Sequence, residues 1–190
     1  MRFHSVDLER ILAELRPDLI GARLQRVQHP RADLVILEFY HGRQTRLLIS
    51  VNPRLGRLHA TDRHFRNPAS PSGFCQFLRA RLEGLRLARM EQRAGDRIAE
   101  LYFTGGGEDG GECFGLIVEL IGSHANLILL DGAGAILQSL RHGHTEQRAL
   151  VLGRAYEPPR PTAGVEVPPG RPDARESWNA WWDQDRKSVV

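Results

Sequence analysis

Two polar residues lie in the most apolar stretch of the chain, and they are the first candidates for chemistry. Residues 117–137 read IVELIGSHANLILLDGAGAIL, with Glu119 and Asn126 on either side of Gly122. An unpaired buried polar group costs about 1 to 3 kcal/mol, so each of the two needs an internal partner or a place at the surface. An internal hydrogen bond and a recognition role are both open from these residues alone.

Arginine provides the second set of candidates, because only Lys187 among the 26 basic residues is a lysine. Arginine binds phosphate bidentately and stacks on bases, although a coding bias would also raise its number. Residues 41–97 contain twelve arginines and four acids, whereas residues 98–139 contain six acids and no Lys or Arg. This polarity predicts either a basic face for a polyanion, or two segments that pair and cancel.

Individual arginines also have ordinary explanations. Arg79 and Arg81 leave a predicted helix on different sides, and exposed helix arginines usually form a solvated surface. Asp96 and Arg97 end the turn that begins at Arg93, and a pair at the start of a strand usually serves the turn itself. Successive strand residues point to opposite faces, so the two side chains would diverge.

Two patterns that could bind ligands are rejected. Residues 104–111 read TGGGEDGG, which has dinucleotide-loop spacing, but a strand follows instead of the helix amino terminus that would hold a pyrophosphate. Glu108 and Asp109 would also repel phosphate, so a flexible hairpin loop is predicted. His142 and His144 lack further ligands at a recognisable spacing, so neither a metal nor a cofactor is expected.

Length and composition limit the class of protein. A chain of 190 residues predicts one domain, with room for a tail. No run of 18 apolar residues is present, and the amino terminus MRFHSVDLER becomes charged too early for a signal peptide. Cys75 and Cys113 are too few for a disulfide framework and are expected to be buried. These features predict a cytoplasmic protein.

Hydrophobic spacing predicts the elements that position these residues. Ser5 is expected to cap a helix that Pro17 stops, and a second helix is expected over residues 73–83. Turns such as His29-Pro30 separate an antiparallel meander of strands at 23–28, 34–40, 45–51 and 57–61. Later strands are expected at 85–92, 97–103, 114–121 and 126–130, the last two forming a hairpin.

The composition changes beyond residue 152. Residues 158–161 read PPRP and residues 168–170 read PPG, which is typical of a linker with little core. The predicted organisation is one domain over 1–159, then a Pro-rich linker and the start of a truncated following segment over 160–190. That segment contains Trp178, Trp181 and Trp182 at helix-like spacing.

Several motifs, in this order, resemble the NFACT amino-terminal domain of fibronectin-binding-protein-A-like proteins and ribosome quality control factors. They are Gly-Ala-Arg-Leu at 21–24, Leu-Leu-Ile-Ser at 47–50, Asn-Pro-x-x-Pro-x-x-Phe-Cys-x-x-Leu-Arg at 67–79, Gly-Asp-Arg at 95–97, Glu-Leu-x-Gly-x-His-x-Asn at 119–126 and Gly-x-x-Tyr-x-Pro-Pro at 153–159. The resemblance covers about residues 1–159.

The resemblance implies an α+β fold, an antiparallel β-sandwich of two sheets flanked by helices. That fold is similar to the amino-terminal domain of formamidopyrimidine-DNA glycosylases, which attack through an amino-terminal proline amine beside a glutamate. This chain begins Met1-Arg2-Phe3, with no proline nearby, so the nucleophile is missing. No catalytic residue is expected, and the protein is not expected to be an enzyme.

The function that the resemblance implies is binding. Full-length members of the family sit on the large ribosomal subunit with stalled peptidyl-tRNA and promote carboxy-terminal tailing of the trapped nascent chain. Arginines suit phosphates or guanine edges, and carboxylates suit the exocyclic amines of unstacked bases. The resemblance implies tRNA binding by Asp96, Arg97, Glu119, Leu120 and Ile121, with possible RNA-backbone contacts from Arg79, Arg81 and Arg93.

Three positions depart from the family pattern. Ile121 replaces a methionine, Ala125 replaces a serine, and Ser123 stands where the family usually has Arg or Lys. The change at Ser123 removes a charge that could meet a phosphate, so this loop is expected to bind tRNA more weakly or in a different place. The later coiled coil and RNA-binding domain of the family are absent, so this chain alone is not expected to support tailing.

Other function classes compete with this interpretation. A fibronectin-binding adhesin is the activity that named the family, but no secretion signal is present. A glycosylase-like DNA-binding domain without its nucleophile is a second rival. The third alternative is a structural role in which the arginines pair internally.

Overall fold

The computed structural model describes residues 4–93, 95–105, 111–142, 144–145 and 148–159, and at 144–145 and 148–149 the backbone only. The predicted linker and tail over 160–190, with the three tryptophans, lie outside the described residues. So do residues 106–110 of the glycine-rich loop. The helices are α1 (Ser5–Leu19) and α2 (Gly73–Leu82). The strands are β1 (Arg23–Arg31), β2 (Leu34–His41), β3 (Arg43–Ser50), β4 (Arg57–Ala60), β5 (Arg86–Gln92), β6 (Ile98–Thr104), β7 (Cys113–Glu119), β8 (Asn126–Asp131), β9 (Ile136–Ser139), β10 (His144–Thr145) and β11 (Arg148–Ala149).

Nine of these strands form one antiparallel sheet in the order β4-β3-β2-β1-β5-β6-β7-β8-β9, and β10 with β11 forms a separate ribbon. The predicted antiparallel α+β fold is therefore confirmed. The predicted division into two sheets is not, because β1 and β5 join the two halves at the residue pair Arg23 and Arg86. Backbone hydrogen bonds beside that pair extend the connection, such as the one from the Leu24 N–H to the Leu85 carbonyl at 2.8 Å.

The sheet curls so that its two halves pack face to face. The rings of Phe39 in β2 and Phe103 in β6 stack with centroids 6.2 Å apart and planes 10° from parallel. Strands in a flat sheet are about 4.8 Å apart, so three strand positions would separate these rings by roughly 14 Å. The curl places a large core between the halves, and α1 and α2 pack mainly on β5 and β1.

Helix α1 differs from its prediction at both ends. The cap is His4 rather than Ser5, and the backbone N–H of His4 donates to Oδ2 of Asp7 at 2.8 Å. Pro17 does not stop the helix, which continues to Leu19. In the last turn proline costs one backbone hydrogen bond, and the complete burial of Leu19 in the core offsets that loss.

The predicted turn at His29-Pro30 is also wrong, because both residues belong to β1. The pairing of β1 with β2 shifts between Gln28 and Arg31, and a bulge there accommodates a proline that cannot donate to the ladder. His29 is buried, and its Nδ1 lies 2.6 Å from Oγ of Ser72, the N-cap residue of α2. The bulge thus helps to seat the second helix.

The central hairpin is confirmed. Strands β7 and β8 pair up to Glu119 opposite Asn126, and a 3-10 turn over Gly122–His124 connects them. Gly122 has a φ of 47°, a left-handed conformation that favours glycine. Strands β6 and β7 are antiparallel neighbours from Thr104 opposite Cys113, in agreement with a hairpin loop across the glycine-rich segment.

Two absences apply to the described part of the chain. Neither of its helices has the length and apolar character needed to cross a membrane. Within the same residues, no group of three or more His, Cys, Asp or Glu side chains is arranged to hold a metal ion. Both cysteines are buried and unbridged.

Candidate nucleic-acid interface

The sheet brings the predicted Asp96-Arg97 pair beside the end of β7. Ile98 pairs with Glu119 across β6 and β7, and one step further the backbone N–H of Leu120 donates to the Arg97 carbonyl at 2.8 Å. Residues more than twenty positions apart in sequence are therefore in direct contact. The two motifs that the family resemblance combined are neighbours in the fold.

The turn that carries Asp96 and Arg97 is held from within. Oδ1 of Asp96 accepts a hydrogen bond from the backbone N–H of Arg97 at 2.7 Å. The Gln92 side chain donates to the Asp96 carbonyl at 2.7 Å and to the Ser5 carbonyl at 2.8 Å, which ties the turn to the start of α1. The half-exposed Arg97 guanidinium makes no hydrogen bond or ion pair with another described residue. It is available to an external anion.

The side chain of Glu119 is buried, whereas the predicted tRNA contact assumes an accessible carboxylate. It is 1% exposed, and its Oε1 accepts a hydrogen bond from the Tyr156 hydroxyl at 2.7 Å. Leu120 is also buried, whereas Ile121 is half exposed. Direct contact of RNA with the Glu119 side chain would need the hairpin to open, so in this structure Glu119 supports the backbone that follows it. Its predicted tRNA-binding role stays a prediction.

Asn126 has internal partners. Its Nδ2 donates to the Arg141 carbonyl at 3.0 Å, and its Oδ1 accepts from the Arg141 backbone N–H at 2.9 Å. The side chain is buried, and these two bonds satisfy both ends of its amide. The internal-partner alternative therefore holds for Asn126.

A third turn, over residues 52–56, joins the same region. The Arg141 guanidinium donates to the Ala125 carbonyl at 3.1 Å and to the Val51 carbonyl at 2.9 Å. A Cβ placed on Gly56 would lie 3.8 Å from the Cα of Leu120. These contacts put the turns at 52–56, 93–97 and 121–125 side by side. Their exposed or half-exposed residues form what we call the turn surface: Arg54, Leu55, Asp96, Arg97, Ile121, Ser123 and His124.

Sequence reasoning missed the contribution of Arg54 and Leu55. Oδ1 of Asn52 accepts the backbone N–H groups of Arg54 at 3.0 Å and of Leu55 at 3.1 Å, which shapes the turn and exposes both side chains. The Asn52-Pro53 dipeptide is a recognisable turn signal of this kind. Its proximity to Leu120 had no signal in the sequence, because it depends on the packing of β3 against the later hairpin.

Two of the three arginines predicted to contact the RNA backbone are engaged within the protein. Nε of Arg79 donates to the Val27 carbonyl at 2.9 Å, while Oε1 of Glu83 accepts the Val27 N–H at 2.8 Å. Helix α2 thereby covers an edge of β1 that would otherwise be open. Nη1 of Arg93 lies 3.1 Å from Oε1 of Glu100 in a half-buried ion pair.

Arg81 is the third arginine that was predicted to contact the RNA backbone. Arg81 is exposed and lies over the Phe77 ring at 5.7 Å from its centroid, so its charge faces solvent.

Glu100, the partner of Arg93, has a second contact within the protein. The Tyr102 hydroxyl donates to Oε2 of Glu100. Burial, followed by the negative charge of Glu100, raises the pKa of Tyr102 far above its ordinary value, so this phenol stays protonated. The Glu100 group is structural.

Among the described residues, the basic and acidic segments share one ion pair. Among the described ion pairs, Arg93 with Glu100 joins residues 41–97 to residues 98–139. The carboxylate of Glu119 faces Tyr156, and Oδ1 of Asp131 accepts the backbone N–H groups of Ala133 and Ala135. In the described part of the chain, no acid lies within ion-pair distance of the side chains of Arg54, Arg57, Arg63, Arg66, Arg81, Arg86 or Arg97. No described carboxylate therefore neutralises these seven guanidinium groups at ion-pair distance.

A curled antiparallel sheet, two covering helices and a turn surface with exposed arginine side chains define an α+β domain. The sequence places it more closely. Residues 4–189 match the model of the NFACT N-terminal and middle domains, and the chain belongs to that family.

Curated relatives agree with this assignment. The chain is 34% identical over 171 residues to the Rqc2 homolog RqcH of Streptococcus pneumoniae, an alignment covering 87% of this chain and 31% of that protein. It is 33% identical over 142 residues to the ribosome quality control complex subunit 2 of Schizosaccharomyces pombe, covering 74% and 14%. The chain thus spans less than a third of these relatives. They are ribosome quality control proteins by name.

Solved structures share the fold. The N-terminal part of the fibronectin/fibrinogen-binding protein from Streptococcus suis superposes with a TM-score of 0.79 at 31% identity, covering 85% of this chain and 62% of that one. The N-terminal domain of the fibronectin-binding protein PavA from Streptococcus pneumoniae gives a TM-score of 0.79 at 28% identity, covering 100% and 74%. Ribosome quality control and fibronectin binding both occur in the names of similar proteins.

Proposed function

We propose that this chain is a tRNA- and large-ribosomal-subunit-binding module of a ribosome quality control factor that promotes carboxy-terminal tailing of stalled nascent chains. The observation that carries the proposal is the half-exposed Arg97 guanidinium, held beside the Leu120 backbone without a described partner of its own. The module itself would be non-enzymatic, and the ribosome would supply peptide-bond formation. Its place of action would be the cytoplasm, where ribosomes carry stalled peptidyl-tRNA.

The turn surface suggests how the module would hold RNA. Arg54 and Arg97 present two guanidinium groups that can bind phosphates or the O6 and N7 edge of guanine. Asp96 would act mainly by holding the Arg97 backbone, since its Oδ1 already accepts that N–H. Glu119 would act from below, by fixing the strand that places Leu120 and Ile121. Ser123 adds no charge, so Arg54 and Arg97 would provide the guanidinium groups of this surface.

The test is a salt-dependent binding titration of the chain with bulk tRNA and with a DNA duplex. Wild type is compared with the Asp96→Ala/Arg97→Ala double variant and with Arg97→Ala alone. Arg154→Ala removes an exposed arginine outside the turn surface and provides a charge-matched control. Asp96→Asn keeps the Oδ1 acceptor for the turn and removes only the charge.

We expect wild type to prefer tRNA, with an affinity that falls steeply as salt rises because counterions are released from the phosphates. Arg97→Ala should weaken tRNA binding by about tenfold, in the range of 1 to 3 kcal/mol for a specific arginine contact. Arg154→Ala should change it by less than about threefold, as a general loss of one charge. Equal affinity for both polymers, unchanged by Arg97→Ala, would reduce the basic face to a general polyanion surface.

Fibronectin binding is a second candidate, favoured by the names of the two proteins whose structures superpose on this chain. The same purified chain can be tested against immobilised fibronectin at physiological salt. Binding that persists when Arg97 is replaced and when salt is raised would favour this second function. Binding that disappears with salt would show attraction of a basic surface to an acidic protein.

A further inference from the structure

A polar cavity of about 410 Å3 lies on the face of β1, β2 and β3 opposite the main core. Val27, Leu37 and Leu47 point into the core, and the alternating neighbours on the same strands line the cavity. The segment at 61–67, which follows β4, forms the outer wall. The residues that matter for its chemistry are Arg26, Gln28, Glu38, Arg46, Arg63 and Phe65. We call this site the basic pocket.

The floor of the basic pocket is an organised hydrogen-bond network. Oε1 of Glu38 accepts from Nε2 of Gln28 at 2.6 Å and from Nε of Arg46 at 3.0 Å. Oε2 of Glu38 receives a longer contact of 3.4 Å from Nε2 of Gln44. Glu38 is 7% exposed and its charge is matched by Arg46. Oε2 therefore keeps capacity to accept a further donor.

The rim carries positive charge that the protein does not neutralise. The guanidinium groups of Arg26 and Arg63 form no hydrogen bond or ion pair with any residue that the structure describes. Arg26 lies opposite Glu38 in the strand register, yet the ion pair of that carboxylate is with Arg46. Two unengaged guanidinium groups at one opening suit an anion such as phosphate.

An aromatic wall completes the pocket. Phe65 packs on a small apolar cluster of Leu34, Ile36 and Leu48, which fixes its ring on the outer face of the sheet. The cavity is too large for a lone phosphate and falls within the range of about 300 to 1,000 Å3 typical of small-ligand sites. The pocket offers an aromatic ring for stacking, a hydrogen-bond acceptor in its floor and two guanidinium groups at its rim. A ligand that uses all three carries a flat base and a phosphate.

We propose that the basic pocket holds one unstacked nucleotide of a bound RNA strand, with its phosphate on Arg26 and Arg63 and its base against Phe65. Oε2 of Glu38 would accept an exocyclic amine, which favours adenine, cytosine or guanine over uracil. Asn67, whose Oδ1 is buried and accepts no hydrogen bond from the described residues, would turn toward the same base. The proposal rests on the proposed RNA-binding function and adds a second contact site to the turn surface.

The experiment compares short single-stranded RNA with an abasic strand of the same length and phosphate count. Phe65→Leu removes the ring and keeps apolar packing, and Arg63→Ala removes a side chain that supports nothing in the described fold. Arg154→Ala is the charge-matched control. Circular dichroism verifies that each variant is folded.

Wild type should bind the base-containing strand at least about fivefold more tightly than the abasic strand, as expected for one stacked base. Phe65→Leu should abolish this preference without changing affinity for the abasic strand. Arg63→Ala should weaken both strands by a similar factor. Oligo-adenosine and oligo-cytidine should bind more tightly than oligo-uridine, and Glu38→Gln should reduce that difference.

The two proposals fail in different ways. If wild type binds tRNA but has no preference between normal and abasic strands, or keeps that preference in Phe65→Leu, the basic pocket is not a nucleotide site and the turn-surface proposal stands. If mononucleotides bind as tightly as the strand does, the ligand is a free nucleotide and the RNA assignment is overturned. If no RNA binds, both proposals fall.

Discussion

The hydroxyl of Tyr156 donates a 2.7 Å hydrogen bond to Oε1 of Glu119 across 37 residues of sequence. Tyr156 is 8% exposed and Glu119 is 1% exposed, so the bond lies inside the protein. The backbone N–H of Tyr156 also donates to the Gly134 carbonyl at 3.0 Å, which fixes the phenol over the sheet. Two motifs of the family pattern, at 119–126 and 153–159, are thereby joined in one buried contact.

Replacing Tyr156 with phenylalanine is expected to lower the free energy of unfolding by about 1 to 3 kcal/mol, because it removes a donor from a buried carboxylate and keeps the ring. Urea denaturation followed by circular dichroism measures the change. Tyr40→Phe is the control, since Tyr40 is 49% exposed and its hydroxyl bonds to none of the described residues. A Tyr156→Phe protein as stable as the control would show that Glu119 does not depend on this donor.

The matched arginines of α2 provide a second prediction. Arg79→Ala is expected to cost about 1 to 3 kcal/mol of stability, because the Val27 carbonyl loses a charge-assisted bond. Arg81→Ala should change stability by less than about 0.5 kcal/mol, as at most exposed sites. Both changes remove one charge from the same helix, so each serves as the control for the other.

The tRNA titration separates the roles of these two arginines. If Arg81 contacts a phosphate, its loss lowers the slope of log affinity against log salt by about 1. Arg79→Ala should leave that slope unchanged while the protein is folded. The reverse result would return Arg79 to the RNA interface and make its bond to Val27 incidental.

Local patterns were sufficient where the partners are close in sequence. The hairpin around Gly122 was predictable because apolar strands flank a short turn that allows a left-handed glycine. Pro17 and Pro30 were misread because proline's local preference lost to packing, through Leu19 in the core and a bulge in β1. In both cases the stabilisation from tertiary packing was larger than the cost of losing one backbone hydrogen bond.

The features that define the site depend on long-range pairing. Nothing near Glu119 in sequence indicates that Tyr156 is its partner, and the turn at 52–56 reaches Leu120 only after the sheet has curled. The single sheet itself depends on the backbone pairing of β1 with β5 around Arg23 and Arg86. The family motifs selected Asp96, Arg97 and residues 119–121 as candidates, but the sequence could not say that Glu119 and Leu120 are buried.

The buried imidazole of His29 is expected to make the free energy of unfolding depend on pH. Burial lowers the pKa of His29 below its ordinary value of 6.5, although a backbone hydrogen bond involving Ala32 and the charge of Asp33 oppose the shift. Below about pH 6.5 the unfolded chain therefore binds a proton at this residue that the folded chain resists. Stability from this group is present above that pH and is lost as pH falls toward the lowered pKa of the folded form.

His29→Gln should remove this component, so its free energy of unfolding should fall less steeply than that of wild type between pH 7.5 and about 5.5. Urea denaturation at several pH values gives the comparison. The exposed His41, replaced by glutamine, controls for the loss of one imidazole. Parallel curves for His29→Gln and wild type would contradict a lowered pKa at His29.

Arg141 tests whether the turn surface is assembled by residues that do not bind RNA themselves. Its guanidinium spans the Ala125 and Val51 carbonyls, so it fastens the turn at 121–125 to the end of β3. Arg141→Lys keeps the charge, but a single ammonium cannot reproduce the fork that reaches both carbonyls. If Arg141 positions the turns, Arg141→Lys should weaken tRNA binding about as much as Arg141→Ala does, and amide hydrogens of residues 122–125 should exchange faster in both variants.

If the charge of Arg141 meets a phosphate instead, Arg141→Lys should retain most of the affinity, and its exchange rates should match those of wild type. Tight binding by Arg141→Lys would therefore contradict the positioning role even if Arg141→Ala binds weakly.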